Sequence, residues 1–83
     1  MLYNSIYNLS EILAHMTFGE KLKLLRLEKK LTTRQLGELV NSTSSMISKW
    51  EQNLCEPKIA TLRKIAAVFN ISIEELTNNE IDI

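Results

Sequence analysis

The 83-residue sequence has little of what active sites, metal centres and membrane spans require. With one cysteine and one histidine, it excludes an intramolecular disulfide and offers neither a metal-ligand cluster nor a nucleophile with its base. No segment approaches the roughly 20 apolar residues that cross a bilayer, and no basic stretch followed by an apolar run marks a signal peptide. We therefore expect a soluble cytoplasmic protein that is not an enzyme, has no membrane partner and needs no cofactor or metal.

Glycine, proline and aromatic residues are also scarce. The chain has two glycines, one proline and 6% aromatic residues, while leucine, isoleucine, lysine and glutamate are abundant. This balance favours helices over strands, and no alternating apolar pattern of useful length is present. The hydrophobic content of 45% is enough for a single core, so we expect one small all-helical domain.

The net charge is zero, but the charges are unevenly distributed. All ten basic residues lie between Lys21 and Lys64. Residues 18–64 contain five acidic residues, residues 65–83 contain four, and residues 1–17 contain one. A basic body with an acidic tail is compatible with a nucleic-acid partner, although an ordinary solvated surface can have the same distribution.

Residues 32–53 are predicted to form two short helices joined by a tight polar turn. Thr32 and Gln35 have the spacing of a capping box, which starts the first helix near Thr33. The predicted apolar stripe of this helix is Leu36, Leu39 and Val40. Asn41 is expected to end the helix, because asparagine tolerates the left-handed conformation that closes many helices.

The second helix of this pair is predicted over about residues 44–52, with Thr43 as its N-cap. Ile47 and Trp50 form its apolar face. The other side carries small polar residues and one cation: Ser44, Ser45, Ser48 and Lys49. So short a helix must be held by packing, which leaves its polar face free for a ligand. Such a helix suits the major groove of DNA, whose width admits one helix.

A further helix is predicted before this pair, over about residues 18–30. Thr17 and Glu20 repeat the capping-box spacing at its start. Its predicted buried stripe consists of Phe18, Leu22 and Leu25. Its four lysines are expected to face solvent, and they are Lys21, Lys23, Lys29 and Lys30.

Two more helices are predicted after the pair. Pro57 suits the first turn of the first one, where its missing N–H costs nothing, and Asn70 is expected to end it. The predicted buried stripe is Ile59, Leu62, Ile65, Ala66 and Phe69. Ser72 and Glu75 form a third capping box, which begins a one-turn helix.

Three motifs together resemble the XRE/Cro-type helix-turn-helix family of phage and bacterial repressors. They are LRLEKKLTTRQLGELV, ISKWEQN and PKIATLRKIAAVFNISIEEL, and the resemblance covers residues 18–77. It implies an all-α, compact five-helix, lambda-repressor-like DNA-binding domain at residues 17–77, followed by an acidic tail at residues 78–83. The N-terminal extension, residues 1–16, has apolar residues in steps of three and four that suit a helix. It can pack on the domain, pair with a second subunit or stay disordered.

The resemblance also implies a function and a set of residues that perform it. The function is sequence-specific binding of double-stranded DNA by a transcriptional regulator, expected to be a repressor, acting as a homodimer on a pseudo-palindromic operator. The implied base-reading residues are Ser44, Ser45 and Lys49. The implied contacts to the DNA backbone are Thr33, Arg34, Thr43, Asn53 and Lys58. Arg26 and Glu51 are implied to form a structural salt bridge between two helices.

The sequence departs from the family pattern at four positions. Thr33, Gly37, Asn41 and Asn53 stand where the family commonly has Gln, Ala, Gly and Gly. A rival interpretation is a protein-interaction module with the same fold, such as an antitoxin or adaptor, because Glu51 offsets the charge of Lys49 on the reading helix. The subunit contact of a dimer is expected at Ile71, Ile73, Ile81 and Ile83, or along the apolar stripe of the N-terminal extension.

Overall fold

A computed structural model describes residues 15–78 of the chain, and these residues form five α-helices and no strand. In chain order the helices are α1 (Phe18–Glu28), α2 (Thr33–Leu39), α3 (Ser44–Glu51), α4 (Ile59–Phe69) and α5 (Ile73–Thr77). The predicted all-α, five-helix architecture is confirmed. The predictions for the N-terminal extension and the acidic tail fall almost wholly outside the described residues. None of the described helices is long and apolar enough to cross a membrane.

The helices begin largely where the sequence predicts. Three capping boxes are formed, by Thr17 with Glu20, by Thr32 with Gln35 and by Ser72 with Glu75. Thr43 caps α3 by accepting a hydrogen bond from the backbone N–H of Met46 at 3.1 Å. The prediction for Pro57 is wrong: α4 begins at Ile59 with Lys58 as its N-cap, so the proline precedes the helix. Pro57 is instead a buried residue of the loop that leads into α4.

Four of the five described helices end in the same way. A residue with positive φ follows the helix, and the next backbone N–H donates to a carbonyl five residues earlier. The positive-φ residues are Lys30 (57°), Asn41 (60°), Asn53 (61°) and Asn70 (55°). None of them is glycine, and three are asparagine, which tolerates this conformation better than most residues. Helix α5 lacks such an ending, because its C-cap Asn78 has φ −76° and ψ 110°.

One hydrophobic core joins all five helices. Its buried members are Leu22, Leu36, Val40, Ile47, Trp50, Ile65, Ala66, Phe69 and Leu76. Helix α3 packs against both α1 and α2, and α5 packs against α1 and α4. Burying a large apolar side chain contributes roughly 1.5–3 kcal/mol, so the two core residues of α3 hold this short helix in place. Its opposite face stays at the surface.

Three expectations about burial are wrong. Leu39 is 55% exposed. The buried side of α2 is formed by Leu36 and Gly37, with Val40 at the C-cap, and Leu39 lies outside it. Ile59 is 58% exposed at the first position of α4, beyond the end of the core. Lys21, expected to face solvent, is completely buried.

Candidate nucleic-acid interface

The turn between α2 and α3 is tight and passes over Gly37. A Cβ atom at Gly37 would lie 3.0 Å from the carbonyl carbon of Thr43 and 3.2 Å from the carbonyl oxygen of Ser42. The backbone N–H of Ser42 donates to the Gly37 carbonyl at 2.7 Å, and Asn41 supplies the left-handed step with φ 60°. The small residue and the left-handed asparagine therefore fix how α3 leaves α2.

The C-terminal end of α3 is clamped to α1 by an ion pair. Arg26 Nε donates to Glu51 Oε2 at 2.6 Å, and Nη2 donates to Oε1 at 3.0 Å, so the contact is bidentate. The third donor, Nη1, reaches the carbonyl of Leu31 at 2.8 Å, which ties in the chain leading to α2. The hydrogen bond to Glu51 raises the pKa of Arg26, and burial acts in the opposite direction. The salt bridge implied by the family resemblance is present, with both side chains about nine-tenths buried.

A second junction of α1 and α3 was not predicted from the sequence. Asn53 Oδ1 accepts from the backbone N–H of Gly19 at 2.9 Å, and Nδ2 donates to Thr17 Oγ1 at 3.0 Å. A Cβ at Gly19 would lie 2.6 Å from the carbonyl oxygen of Trp50 and would also overlap that of Glu51. The start of α1 therefore rests directly on the backbone at the end of α3. The available signal was a helical glycine, which costs about 1 kcal/mol unless close packing requires it.

The N-terminal end of α3 is open. Thr43, Ser44 and Ser45 are exposed there, and Lys49 is exposed in the last turn of the same helix. The hydroxyl of Ser44 lies 2.8 Å from that of Thr33, the first residue of α2. The structure thus brings one predicted base-reading residue into hydrogen-bond contact with one predicted backbone contact.

The other three predicted contacts to the DNA backbone lie in different parts of the domain. Arg34 has 83% of its side chain exposed and is only loosely paired with Glu38, at 3.7 Å. Lys58 is exposed at the N-cap of α4. Asn53 follows the far end of α3, about 13 Å along the helix from Ser44, and both groups of its amide already make hydrogen bonds. Helix α3 therefore has a clamped end and an open end.

Two helices joined in this way, with one face of the second helix exposed and polar, define the helix-turn-helix class of domains. The chain belongs to the family described as helix-turn-helix, whose model matches residues 22–76. The resemblance to XRE/Cro-type repressors noted from the sequence motifs is confirmed by this match and by the relatives.

The curated relatives carry regulator names. The HTH-type transcriptional activator BcrR of Enterococcus faecalis is 40% identical over 65 residues, which cover 78% of this chain and 32% of that protein. The immunity repressor protein of Bacillus phage phi105 is 32% identical over 65 residues, which cover 78% of this chain and 45% of that protein. The chain therefore spans between a third and a half of the length of these relatives.

Two solved structures have the same fold. The P22 c2 repressor, solved in complex with synthetic operator 9T, is 25% identical with a TM-score of 0.74, and the match covers 78% of this chain and 98% of that one. The N-terminal DNA-binding domain of SinR from Bacillus subtilis is 33% identical with a TM-score of 0.65, covering 71% and 87%. The described helices are those of a lambda-repressor-like domain.

Proposed function

We propose that the protein is a transcriptional regulator that binds double-stranded DNA in a sequence-specific manner, with α3 in the major groove. The observation that carries this proposal is the contrast within α3. Ile47 and Trp50 are buried in the core, whereas Ser44, Ser45 and Lys49 form an exposed polar face. The regulator names of the relatives and the operator complex of the P22 c2 repressor support the proposal.

Base recognition is assigned to the exposed face of α3. Lys49 can donate to O6 and N7 of guanine, so it selects one base pair. Ser44 and Ser45 can each donate or accept a hydrogen bond, and they discriminate weakly between bases. We therefore expect a half-site with one strongly preferred guanine and weaker preferences beside it.

Backbone contacts are assigned to residues that flank this face. Thr33, Arg34 and Thr43 lie around the start of α2 and the start of α3, and Lys58 is the exposed N-cap of α4. Because Thr33 and Ser44 share a hydrogen bond, one hydroxyl donates to the other. When the Thr33 hydroxyl donates its hydrogen to a phosphate, its oxygen can still accept a hydrogen bond from Ser44. The backbone contact of Thr33 and the base contact of Ser44 are then linked. Asn53 has one amide hydrogen left for a phosphate.

The working form is proposed to be a homodimer on a pseudo-palindromic operator. A single small module with few cations binds weakly at physiological salt, whereas two modules on half-sites one helical turn apart bind together. Ile71 and Ile73 are partly buried beside the core and are the described candidates for the subunit contact. The other candidates, Ile81, Ile83 and the N-terminal stripe, lie outside the described residues. Repression by occupying the operator is the simplest mode of action for such a dimer.

A selection from random DNA duplexes tests this proposal. The wild type is expected to select two half-sites with a preferred guanine, and Lys49→Ala should lose that preference by about 1–3 kcal/mol at one position. Lys23→Ala is the matched control, because it removes the same charge from the exposed surface of α1. Affinity should also fall steeply with salt, because bound DNA releases counterions.

Two results would contradict parts of this proposal. An unchanged site for Lys49→Ala would remove Lys49 from the reading face. If no duplex is selected and affinity for DNA is negligible at low salt, the interaction-module interpretation replaces DNA binding.

A further inference from the structure

The C-terminal end of helix α5 is held by a side chain from another helix. The other four described helices close with a positive-φ residue, after which a backbone N–H donates to a carbonyl five residues earlier. Asn78 after α5 is extended instead, and its N–H donates to the Glu74 carbonyl. The ammonium of Lys21, on α1, donates to the carbonyl of Glu75 at 2.8 Å and to that of Asn78 at 2.5 Å. A cation at this end also complements the negative pole of the helix dipole.

The burial of Lys21 shows that this contact is specific. Its exposed fraction is 0%, whereas Lys23, two residues along the same helix, is exposed. Burying an ammonium is unfavourable unless its donors are satisfied, and here two of its three donors reach carbonyls. A five-residue helix has too few hydrogen bonds to be stable alone, so its position depends on contacts with the rest of the domain.

Helix α1 contacts both the reading helix α3 and helix α5, which carries a candidate residue for the subunit contact. Through Arg26 and Gly19 it holds the C-terminal end of α3, and through Lys21 it holds the C-terminal end of α5. Ile73 of α5 is a candidate for the subunit contact proposed above. A single rigid helix therefore connects the reading element to the element expected to pair.

We infer that Lys21 is a positioning residue for the paired protein, because it fixes α5 at a defined place relative to reading helix α3. The distance between the two α3 helices of a dimer then depends on the contact of Lys21 with Glu75 and Asn78. This inference rests on the proposed function, since it concerns how two DNA-reading helices are spaced. Its consequence is that Lys21 contributes to the choice of half-site spacing without touching DNA.

The test compares Lys21→Met with Lys23→Met in the full chain. Both variants remove one positive charge from α1, so their long-range electrostatic effect on DNA is matched. Dissociation constants are measured for the selected operator, for operators with one base pair more or fewer between half-sites, and for a single half-site. Amide hydrogen exchange of Leu76 and Asn78 reports whether the end of α5 has loosened.

Lys23→Met is expected to keep the wild-type spacing preference. Lys21→Met should lose about tenfold of that preference, an effect comparable to one mismatched base pair, while its affinity for the single half-site stays within about twofold of the control. Exchange at Leu76 and Asn78 should be faster in Lys21→Met alone. Equal spacing preference in the two variants would overturn the inference, as would an equal loss of affinity on every duplex.

Two further results keep the test decisive. If Lys21→Met does not fold, Lys21→Arg replaces it, since it keeps a cation with a head of different shape. A changed spacing preference in that variant supports the inference, and an unchanged preference despite faster exchange at Asn78 overturns it. Failure of the wild type to select any paired site would refute the proposed dimer, whereas selection of a paired site with equal variants refutes only the role of Lys21.

Discussion

The two ends of α3 differ in almost every physical respect. At the C-terminal end, Trp50 is buried, Glu51 is paired with Arg26, and Asn53 binds the start of α1. At the N-terminal end, Ser44 and Ser45 are exposed, and the hydroxyl of Ser44 shares a hydrogen bond with that of Thr33. Side chains at the C-terminal end cannot be replaced without loss of these contacts. Exposed side chains at the N-terminal end can be replaced without disturbing the core.

This difference separates orientation from recognition. Substitutions at the clamped end should lower stability and should weaken binding to all duplexes alike. Substitutions of the exposed side chains Ser44, Ser45 and Lys49 should leave stability within about 0.5 kcal/mol and should change which duplex is preferred.

The largest effect is expected at the ion pair of the clamped end. Arg26→Ala leaves the buried carboxylate of Glu51 without its partner, and we expect a loss of about 3–5 kcal/mol in the free energy of unfolding. Denaturant unfolding measures it. Arg34→Ala is the control, because its partly screened contact with Glu38 should contribute less than about 1 kcal/mol. Equal losses in the two variants would show that the clamp is not a special contact.

The two glycines provide the next comparison. Gly19→Ala would push a Cβ against the backbone carbonyls at the end of α3, and we expect a loss of about 1–3 kcal/mol. Gly37→Ala meets backbone atoms at 3.0–3.3 Å, so a small strain is set against a gain of about 1 kcal/mol in helix propensity. Thermal unfolding should therefore separate the two variants clearly. A Gly19→Ala variant as stable as the wild type would contradict the close contact of α1 with α3.

Asn41 and Asn53 both have a positive φ, so the replacement of each by glycine gives a further comparison. Asn41→Gly should stabilise the protein by up to about 1 kcal/mol, because glycine adopts positive φ without strain. Asn53→Gly gains the same relief but loses two hydrogen bonds to α1, each contributing about 0.5–1.5 kcal/mol. We therefore expect Asn53→Gly to be the less stable of the two in denaturant unfolding. The opposite order would mean that the bonds of Asn53 contribute little.

The sequence predicted the parts of the fold that depend on local chemistry. Capping boxes at Thr17, Thr32 and Ser72 depend on residues three apart, and such spacing is visible in a sequence. The left-handed ends at Asn41 and Asn70 follow from a preference of the residue itself. These signals were enough to place five helices in order.

Tertiary contacts account for what the sequence did not predict. Lys21 lies three residues after Phe18 and four before Leu25, on the side of the apolar stripe, but its carbonyl partners lie more than 50 residues away. Gly19 and Asn53 likewise meet across 34 residues. Arg26 and Glu51 are 25 residues apart in the chain, and only the family resemblance indicated their pairing. The predicted DNA contacts stay predictions until binding is measured.

The smallest expected effect is a pH dependence that arises from Lys21. Burial lowers the pKa of its ammonium from the ordinary 10.5, and the charge of Glu75 partly offsets this. Between the lowered pKa and 10.5, the unfolded chain binds more protons than the folded one, so the contribution of Lys21 to stability rises with pH. The cost of Lys21→Met should thus be greater near pH 10.5 than near about pH 8, as urea unfolding can measure. If the cost of Lys21→Met fell with rising pH, the folded protein would favour the ammonium. The carbonyl contacts would then stabilise the charged form by more than burial disfavours it.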